Sequence, residues 1–225
     1  MRVPRTCAGV TIDSDEIGPD QIGPDQIDRE LWAAAVDGNA DAFAQLYRRH
    51  ADRIYAYCFR RSASWSTAQD LTSVVFLEAW RRRRSVRLHD GATVRGWLFG
   101  VANNVLRSSE RARRRYRAAL ASLPSGPAEQ DFADDLAALL DDERRMRTVL
   151  DALGRLPRGD QELLTLAAWS GLGQSEIAAT LGVPVGTVKS RLSRARERLR
   201  TLSAQAPHVA TVPTPSVKPV QEQLS

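Results

Sequence analysis

Between about residue 41 and residue 202 the apolar side chains return every three or four positions, and no stretch alternates with the period of two that a half-buried strand requires. That spacing predicts an all-α chain. Phe43, Leu46, Tyr47, His50 and Ile54 follow the i, i+3, i+4 rule, so one helix is expected over residues 41–59. Ser66 followed by Gln69 has the form of a capping box and predicts a second helix running to about Trp80, with Leu71, Val74 and Val75 turned inward. A third is expected from about Thr93, where Val94, Trp97, Leu98, Val101 and Val105 make an apolar stripe. In 225 residues with 43% hydrophobic content there is enough apolar material for one large domain or two small ones plus tails.

Punctuation along the chain favours two small helical domains. Residues 1–28 are turn-rich and contain a direct repeat, Ile17-Gly-Pro-Asp-Gln21 then Ile22-Gly-Pro-Asp-Gln26. Two proline-bearing units make a flexible tail, not a solenoid. Residues 203–225, with Pro207, Pro213, Pro215 and Pro219, read as a disordered Pro-rich tail of the same kind. Pro124, Ser125, Gly126 and Pro127 mark a linker over 119–130. An acidic helix is expected from about Asp131 to Leu153, Pro157 and Gly159 break it, and Leu163–Trp169 forms the next apolar segment. The expected division is therefore a first domain over 29–118, a connecting segment over 119–140 and a second domain over 141–202.

The second domain carries helix-turn-helix grammar. Gln174–Leu181 puts Ile177, Ala178 and Leu181 on one face, Gly182 lets the backbone turn, and Pro184 stands where a new helix starts. In that new helix Val188, Leu192, Ala195 and Leu199 face inward, leaving Lys189, Ser190, Ser193, Arg194 and Glu197 outward. Short hydroxyls and cations on an exposed helix suit the major groove, with some reaching base edges and others neutralising phosphates. The bland reading, a solvated basic helix complementing its own dipole, leaves the turn glycine and the paired apolar faces as coincidences.

Charge is segregated in the same sense. Residues 81–117 hold twelve Arg against Asp90 and Glu110 (12 − 2 = +10), and residues 189–200 hold six cations against Glu197 (6 − 1 = +5). Residues 128–151 carry eight acids and three Arg (3 − 8 = −5). Two basic blocks with an acidic spacer suggest two sites on a polyanion. On the third helix Gly100, Asn104, Arg107 and Arg111 lie away from the apolar stripe and run into Arg113-Arg114-Arg115. Guanidiniums can hold a melted backbone there, and an Asn amide offers a donor and an acceptor to an unstacked base. Spacing alone makes Trp97 an ordinary core residue and leaves Asn104 open between a base contact and a solvated face.

Other functions lack their residues. Cys7 and Cys58 form no CxxC pair, and His50, His89 and His208 are scattered, so no metal site or disulfide framework is implied. There is no glycine-rich phosphate loop and no nucleophile with a recognisable base; no catalytic residue, cofactor or small-molecule substrate is expected. Without an apolar leader or a run near the roughly 20 residues of a membrane span, the expected location is cytoplasmic with no direct membrane insertion.

Four ordered blocks resemble the extracytoplasmic-function (ECF) sigma factors, the smallest members of the sigma-70 family. They are Ala42-Phe-Ala-Gln-Leu-Tyr47 with His50; Ala68-Gln-Asp-Leu-Thr-Ser-Val-Val-Phe-Leu-Glu-Ala-Trp80; Trp97-Leu-Phe-Gly-Val-Ala-Asn-Asn104; and Leu156-Pro157 with Glu176-Ile-Ala178 and Gly186-Thr-Val-Lys-Ser-Arg191. The resemblance covers about residues 29–202. It implies a sigma region-2 helix bundle and a region-4 helix-turn-helix, and a non-enzymatic protein that directs RNA polymerase to promoters. It further implies that Asp70, Leu71, Ser73, Val74, Phe76, Leu77 and Trp80 bind core polymerase at the clamp helices of beta-prime, with the flap of beta as a second polymerase contact. Trp97, Asn104, Arg107, Ser108 and Arg111 fall on the minus-ten reader, and Lys189, Ser190, Arg191, Ser193 and Arg194 on the minus-thirty-five reader. Promoter DNA and an anti-sigma factor complete the implied partners.

Some positions depart from the family pattern. Gln69 and Ser73 stand where Glu and Gln are usual, Asn103 sits at an often basic position, and Gly173 replaces the usual Ser or Thr cap, a loss of only about a few tenths of a kcal/mol. Two rivals remain. A stand-alone helix-turn-helix regulator would not need the block from Ala68 to Trp80 or the Asn104 face. A helical adaptor using its basic faces on acidic proteins would not need the groove-sized pattern at Lys189, Ser190, Ser193 and Arg194.

Overall fold

Helices follow from the periodic apolar positions, and their ends from local capping chemistry. The computed structural model describes residues 23–86, 88, 92–120 and 135–204, and among these there is no strand. The first half contains α1 (Pro24–Val36), α2 (Ala40–Ser62), α3 (Trp65–Arg82) with a 3-10 turn over Arg83–Ser85, and α4 (Val94–Leu120). The second half contains α5 (Asp135–Gly154), α6 (Arg158–Trp169), α7 (Gln174–Leu181) and α8 (Val185–Ala204).

Side chains supply the missing partners at the helix starts. Asn39 accepts from the Ala42 N–H at 3.0 Å, Ser64 from Thr67 at 3.4 Å, and Thr93 from Gly96 at 3.0 Å. The cap of α3 is thus Ser64 and not Ser66, because the helix begins earlier, at Trp65. Its entry is fixed by that indole stacking on Phe59, with ring centroids 3.5 Å apart and planes 10° apart. Gly182 closes α7 at φ 65, a left-handed conformation that favours glycine.

Leu46, Ile54, Tyr57, Phe59, Val75, Leu98, Phe99 and Leu106 fill the centre of the first half; Leu163, Leu166, Ile177, Val188, Leu192 and Ala195 fill the second. Two further expectations fail. Helix α1 starts at Pro24, inside the segment expected to be tail, because proline suits the first helical turn and Trp32, Ala35 and Asp28 have burial sites against α2 and α4. Val74, expected inward, is 42% exposed: α3 packs through Ala68, Leu71, Val75, Phe76 and Ala79, leaving position 74 on the opposite flank. The expected linker centre, the first repeat unit and nearly all of the Pro-rich tail lie outside the described residues.

Candidate nucleic-acid interface

Helix α4 presents the first polar face. Its buried stripe, Val94, Leu98, Val101, Ala102 and Leu106, holds the helix against α2 and α3, so Asn104, Ser108 and Arg111 project into solvent. Arg111 donates to Ser108 Oγ at 3.1 Å, and the exposed run from Arg113 to Arg117 continues the face. Trp97 is half-buried against Trp32, with centroids 4.7 Å apart. Asn103, one residue from Asn104, is turned inward and buried: the Tyr57 hydroxyl donates to its Oδ1 at 2.8 Å, while its Nδ2 has no partner. Burial pushes the Tyr57 hydroxyl up, which keeps it protonated and able to donate.

The second face is on α8. Val188, Leu192 and Ala195 are buried, and Lys189, Ser190, Ser193 and Arg194 are exposed on one side of two successive turns. Arg191 is directed elsewhere. It lies over Gly159, where any side chain would collide with it, and its Nη2 is 3.6 Å from Asp160 Oδ1. Arg198 donates to the other oxygen of Asp160 at 2.6 Å, so Asp160 clamps α8 to the start of α6.

On α3 the residues expected to meet polymerase divide in two. Asp70, Ser73, Val74 and Leu77 form an exposed stripe at i, i+3, i+4, i+7, with Leu77 46% exposed. Leu71 and Phe76 are buried beneath it, and Trp80 is half-covered by the Arg83 guanidinium, 3.5 Å from its ring centroid.

The two halves are docked, and the docking engages the α4 face. Arg107 meets Glu162 of α6 as a fork: Nε donates to Oε1 at 2.6 Å and Nη2 to Oε2. That hydrogen-bonded carboxylate pushes the Arg107 guanidinium up and holds its charge. Glu176 of α7 accepts from Thr93 at 2.8 Å, from Arg95 through both oxygens at 3.0 Å, and from the Gly173 N–H at 2.8 Å. Burial alone would raise this carboxyl, but the three donors outweigh it and hold it below its ordinary value. Thr180 donates to the Gly96 carbonyl at 3.1 Å, and a Cβ at Gly96 or Gly100 would come within 3.1 or 3.4 Å of the Thr180 side chain. Those glycines let α7 approach α4 closely. Arg61 bonds Thr165 at 3.0 Å and Glu110, which also pairs with Arg158.

Glu162, Glu176, Arg95 and Thr180 were not legible from spacing, since each pairing joins residues more than 50 positions apart. A cleft of about 570 Å³ remains between the halves, with Trp97, Asn103 and Asn104 on one wall and Glu176 and Thr180 on the other. Among the described residues no His, Cys, Asp and Glu cluster could hold a metal ion, and no helix is long and apolar enough to cross a membrane. The thiol of buried Cys58 is pushed up to about 12 by burial and stays protonated.

Residues 46–116 match the family described as sigma-70 region 2, and residues 146–199 match sigma-70, region 4. The ECF RNA polymerase sigma factor SigE of Mycolicibacterium smegmatis is 33% identical over 202 residues, 86% of this chain and 73% of that protein. The solved structure of CnrH, a sigma factor of Cupriavidus metallidurans, in complex with the cytosolic domain of CnrY aligns at TM-score 0.59 and 28% identity, covering 80% of this chain and 99% of that one. The sigma factor RpoE in complex with the anti-sigma factor NepR, from Bartonella quintana, aligns at TM-score 0.52 and 26% identity over 74% of this chain and 99% of that one.

Proposed function

The chain belongs to the ECF sigma factors of the sigma-70 family, and from that premise we propose that it joins core RNA polymerase, recognises minus-ten and minus-thirty-five elements, assists promoter melting and directs initiation at a specific set of promoters. One observation carries this reading. A region-2 match and a region-4 match occur in order on one chain, each with an exposed polar or cationic helix face. A stand-alone regulator would need only the second.

Within this reading, residues up to about 118 are the polymerase and minus-ten module and residues 141–202 the minus-thirty-five module. The exposed stripe at Asp70, Ser73, Val74 and Leu77 is assigned to polymerase, with Leu71, Phe76 and Trp80 shaping it from below. Asn104, Ser108 and Arg111, with Trp97 and Arg107 beside them, are assigned to the melted strand. Lys189, Ser190, Ser193 and Arg194 are assigned to the duplex, and Arg191 supports them from the Asp160 clamp. Extruding a base costs about a few kcal/mol, so an amide that captures it stabilises the open complex. Polymerase holds two weak contacts in register and raises the effective concentration of each. The protein has no catalytic step of its own and acts in the cytoplasm. By the likeness to RpoE bound to NepR, an anti-sigma factor is a further partner.

Co-purification with core RNA polymerase, followed by run-off transcription from a pool of genomic promoters, tests the reading. Initiation at a subset of promoters supports it; a chain that ignores core and shifts duplex DNA alone returns the function to a stand-alone regulator. With a promoter in hand, Asn104→Ala is expected to lower promoter opening more than polymerase binding. Arg194→Ala is expected to weaken the closed complex and reduce its salt slope by about one cation's share. Equal opening by the Asn104 variant removes that residue from the site.

A further inference from the structure

Within the exposed run that ends α4 the side chains diverge. At about 100° per residue, Arg115 stands about 20° round the helix axis from Asn104, whereas Arg113 and Arg117 stand about 180° and 220° from it. Those two continue the line of Leu106 and Glu110 on the far side of the helix, so assigning the Asn104 side to a melted strand leaves them unexplained. Neither forms a hydrogen bond or ion pair among the described residues. Like charges one turn apart on a helix repel by about a few tenths of a kcal/mol, a cost that an anion bound between them removes.

Beside this line lies a cavity of about 360 Å³, walled by α2, α3, α4 and α5. Arg113 and Arg117 line it from α4, Arg61 from α2 and Arg147 from α5. The last two are held in position. Arg61, its side chain only 7% exposed, donates to Thr165 at 3.0 Å and to Glu110 at 3.2 Å, and Arg147 donates to Glu143 at 2.8 Å. Thr67 and Ser109 add hydroxyl side chains to the wall, and buried Leu71 and Leu106 with half-buried Leu150 make it partly apolar. Its carboxylates are Glu110, which Arg61 and Arg158 neutralise, and exposed Asp151. Four cations against two anions (4 − 2 = +2) give the lining a positive charge, and low-dielectric walls focus that field on a small anion.

We infer that this cavity is a binding site for a small phosphorylated molecule with two linked phosphates. Arg113 and Arg117 are free and one turn apart, and each guanidinium fork matches the oxygens of one phosphate. Arg61 and Arg147 supply positive charge that is already in place. The volume lies within the range of ligand pockets, about 300–1,000 Å³, and the apolar part of the wall accepts an organic group. The site lies apart from both polar faces assigned to promoter DNA.

Isothermal titration calorimetry of the full chain with inorganic pyrophosphate, in a metal-chelating buffer of constant ionic strength, tests the site. Saturable binding of one pyrophosphate per chain is expected. Arg113→Ala with Arg117→Ala is expected to weaken it about tenfold or more, equivalent to about 1.4 kcal/mol. Arg114→Ala with Arg115→Ala removes the same charge from other sides of α4, where salt screens it from the cavity, and is expected to change affinity by less than about twofold. Asp151→Asn removes the opposing charge and is expected to tighten binding about threefold, the size of one exposed charge interaction. All four arginines substituted are exposed, so both double variants are expected to fold. Pyrophosphate should raise the thermal midpoint of the wild-type chain and not that of the Arg113, Arg117 variant.

No saturable binding at millimolar pyrophosphate, or equal losses in the two double variants, overturns the inference, since general positive charge then accounts for any attraction. Unchanged or weaker binding by the Asp151 variant takes the ligand out of this cavity and overturns it too. A fluorescein-labelled single strand of random sequence, about 12 nucleotides long, separates a small ligand from a nucleic-acid contact. That strand is expected to stay bound at saturating pyrophosphate and to lose no more affinity in the Arg113, Arg117 variant than in the Arg114, Arg115 variant. Displacement of the strand, or a larger loss in the first variant, puts Arg113 and Arg117 on the DNA path and sinks the proposal.

Discussion

His50 has a buried partner that the pattern of its own helix does not predict. It sits on the inner face of α2, with Nε2 2.8 Å from Asp28 Oδ2, while Arg49 donates to the other oxygen of Asp28 at 2.6 Å and Nδ1 has no partner. Burial lowers its pKa below the ordinary 6.5, and the opposing attraction of Asp28 does not restore it. The native state therefore prefers neutral imidazole. A lowered folded pKa gives stability that is present above about 6.5 and is lost as pH falls through the lowered value. The thermal midpoint should drop across that window, and His50→Gln should flatten the drop; an unchanged slope in the variant would show that His50 is not the titrating group. His50 could be placed on an inward face from spacing alone. Its partner could not, because Asp28 belongs to a stretch whose glycines and prolines read as tail, and only the burial of Trp32 and Ala35 makes α1 a helix.

Helix α3 shows at the level of an element why period alone is an incomplete guide. Leu71, Val74, Val75 and Leu77 are equally apolar in the sequence, yet Leu71 and Val75 are buried while Val74 and Leu77 are exposed. An apolar stripe wider than the core needs leaves a flank for something else. Val74→Asp combined with Leu77→Asp is expected to abolish polymerase co-purification while changing stability by no more than about 0.5 kcal/mol per site, the usual surface effect. Phe76→Ala, beneath the same flank, is expected to cost about 3–5 kcal/mol. Retained co-purification by the double aspartate variant, read with a normal melting curve, would move the polymerase contact off α3. The helix-turn-helix, by contrast, was legible almost to the residue. Its glycine turn, its proline start and the inward Val188, Leu192 and Ala195 are local signals, and local signals survive into the fold. The direction of Arg191 was not, since Asp160 reaches it from another helix.

At the scale of the whole molecule the charge segregation could be counted from the sequence, but the docking that consumes part of it could not. Contacts such as Arg107 to Glu162 carry no periodic signature and exist only once both halves are folded. Binding of a cation to a single strand releases counterions, and log K falls with log salt by about 0.7 per phosphate neutralised. The counterions released are those condensed on the strand, so each phosphate that a guanidinium neutralises contributes its share to the salt slope. Arg95 and Arg107 are paired with Glu176 and Glu162, whereas Arg111 donates to the Ser108 hydroxyl and the run from Arg113 to Arg117 is exposed. Arg111→Ala is therefore expected to make the salt slope of single-strand binding shallower than that of the wild-type chain by about 0.7, the share of one cation. Titrations of both chains over a range of potassium chloride concentrations measure it. Equal slopes would mean that Arg111 neutralises no phosphate, and would remove it from the face of α4 assigned to the melted strand.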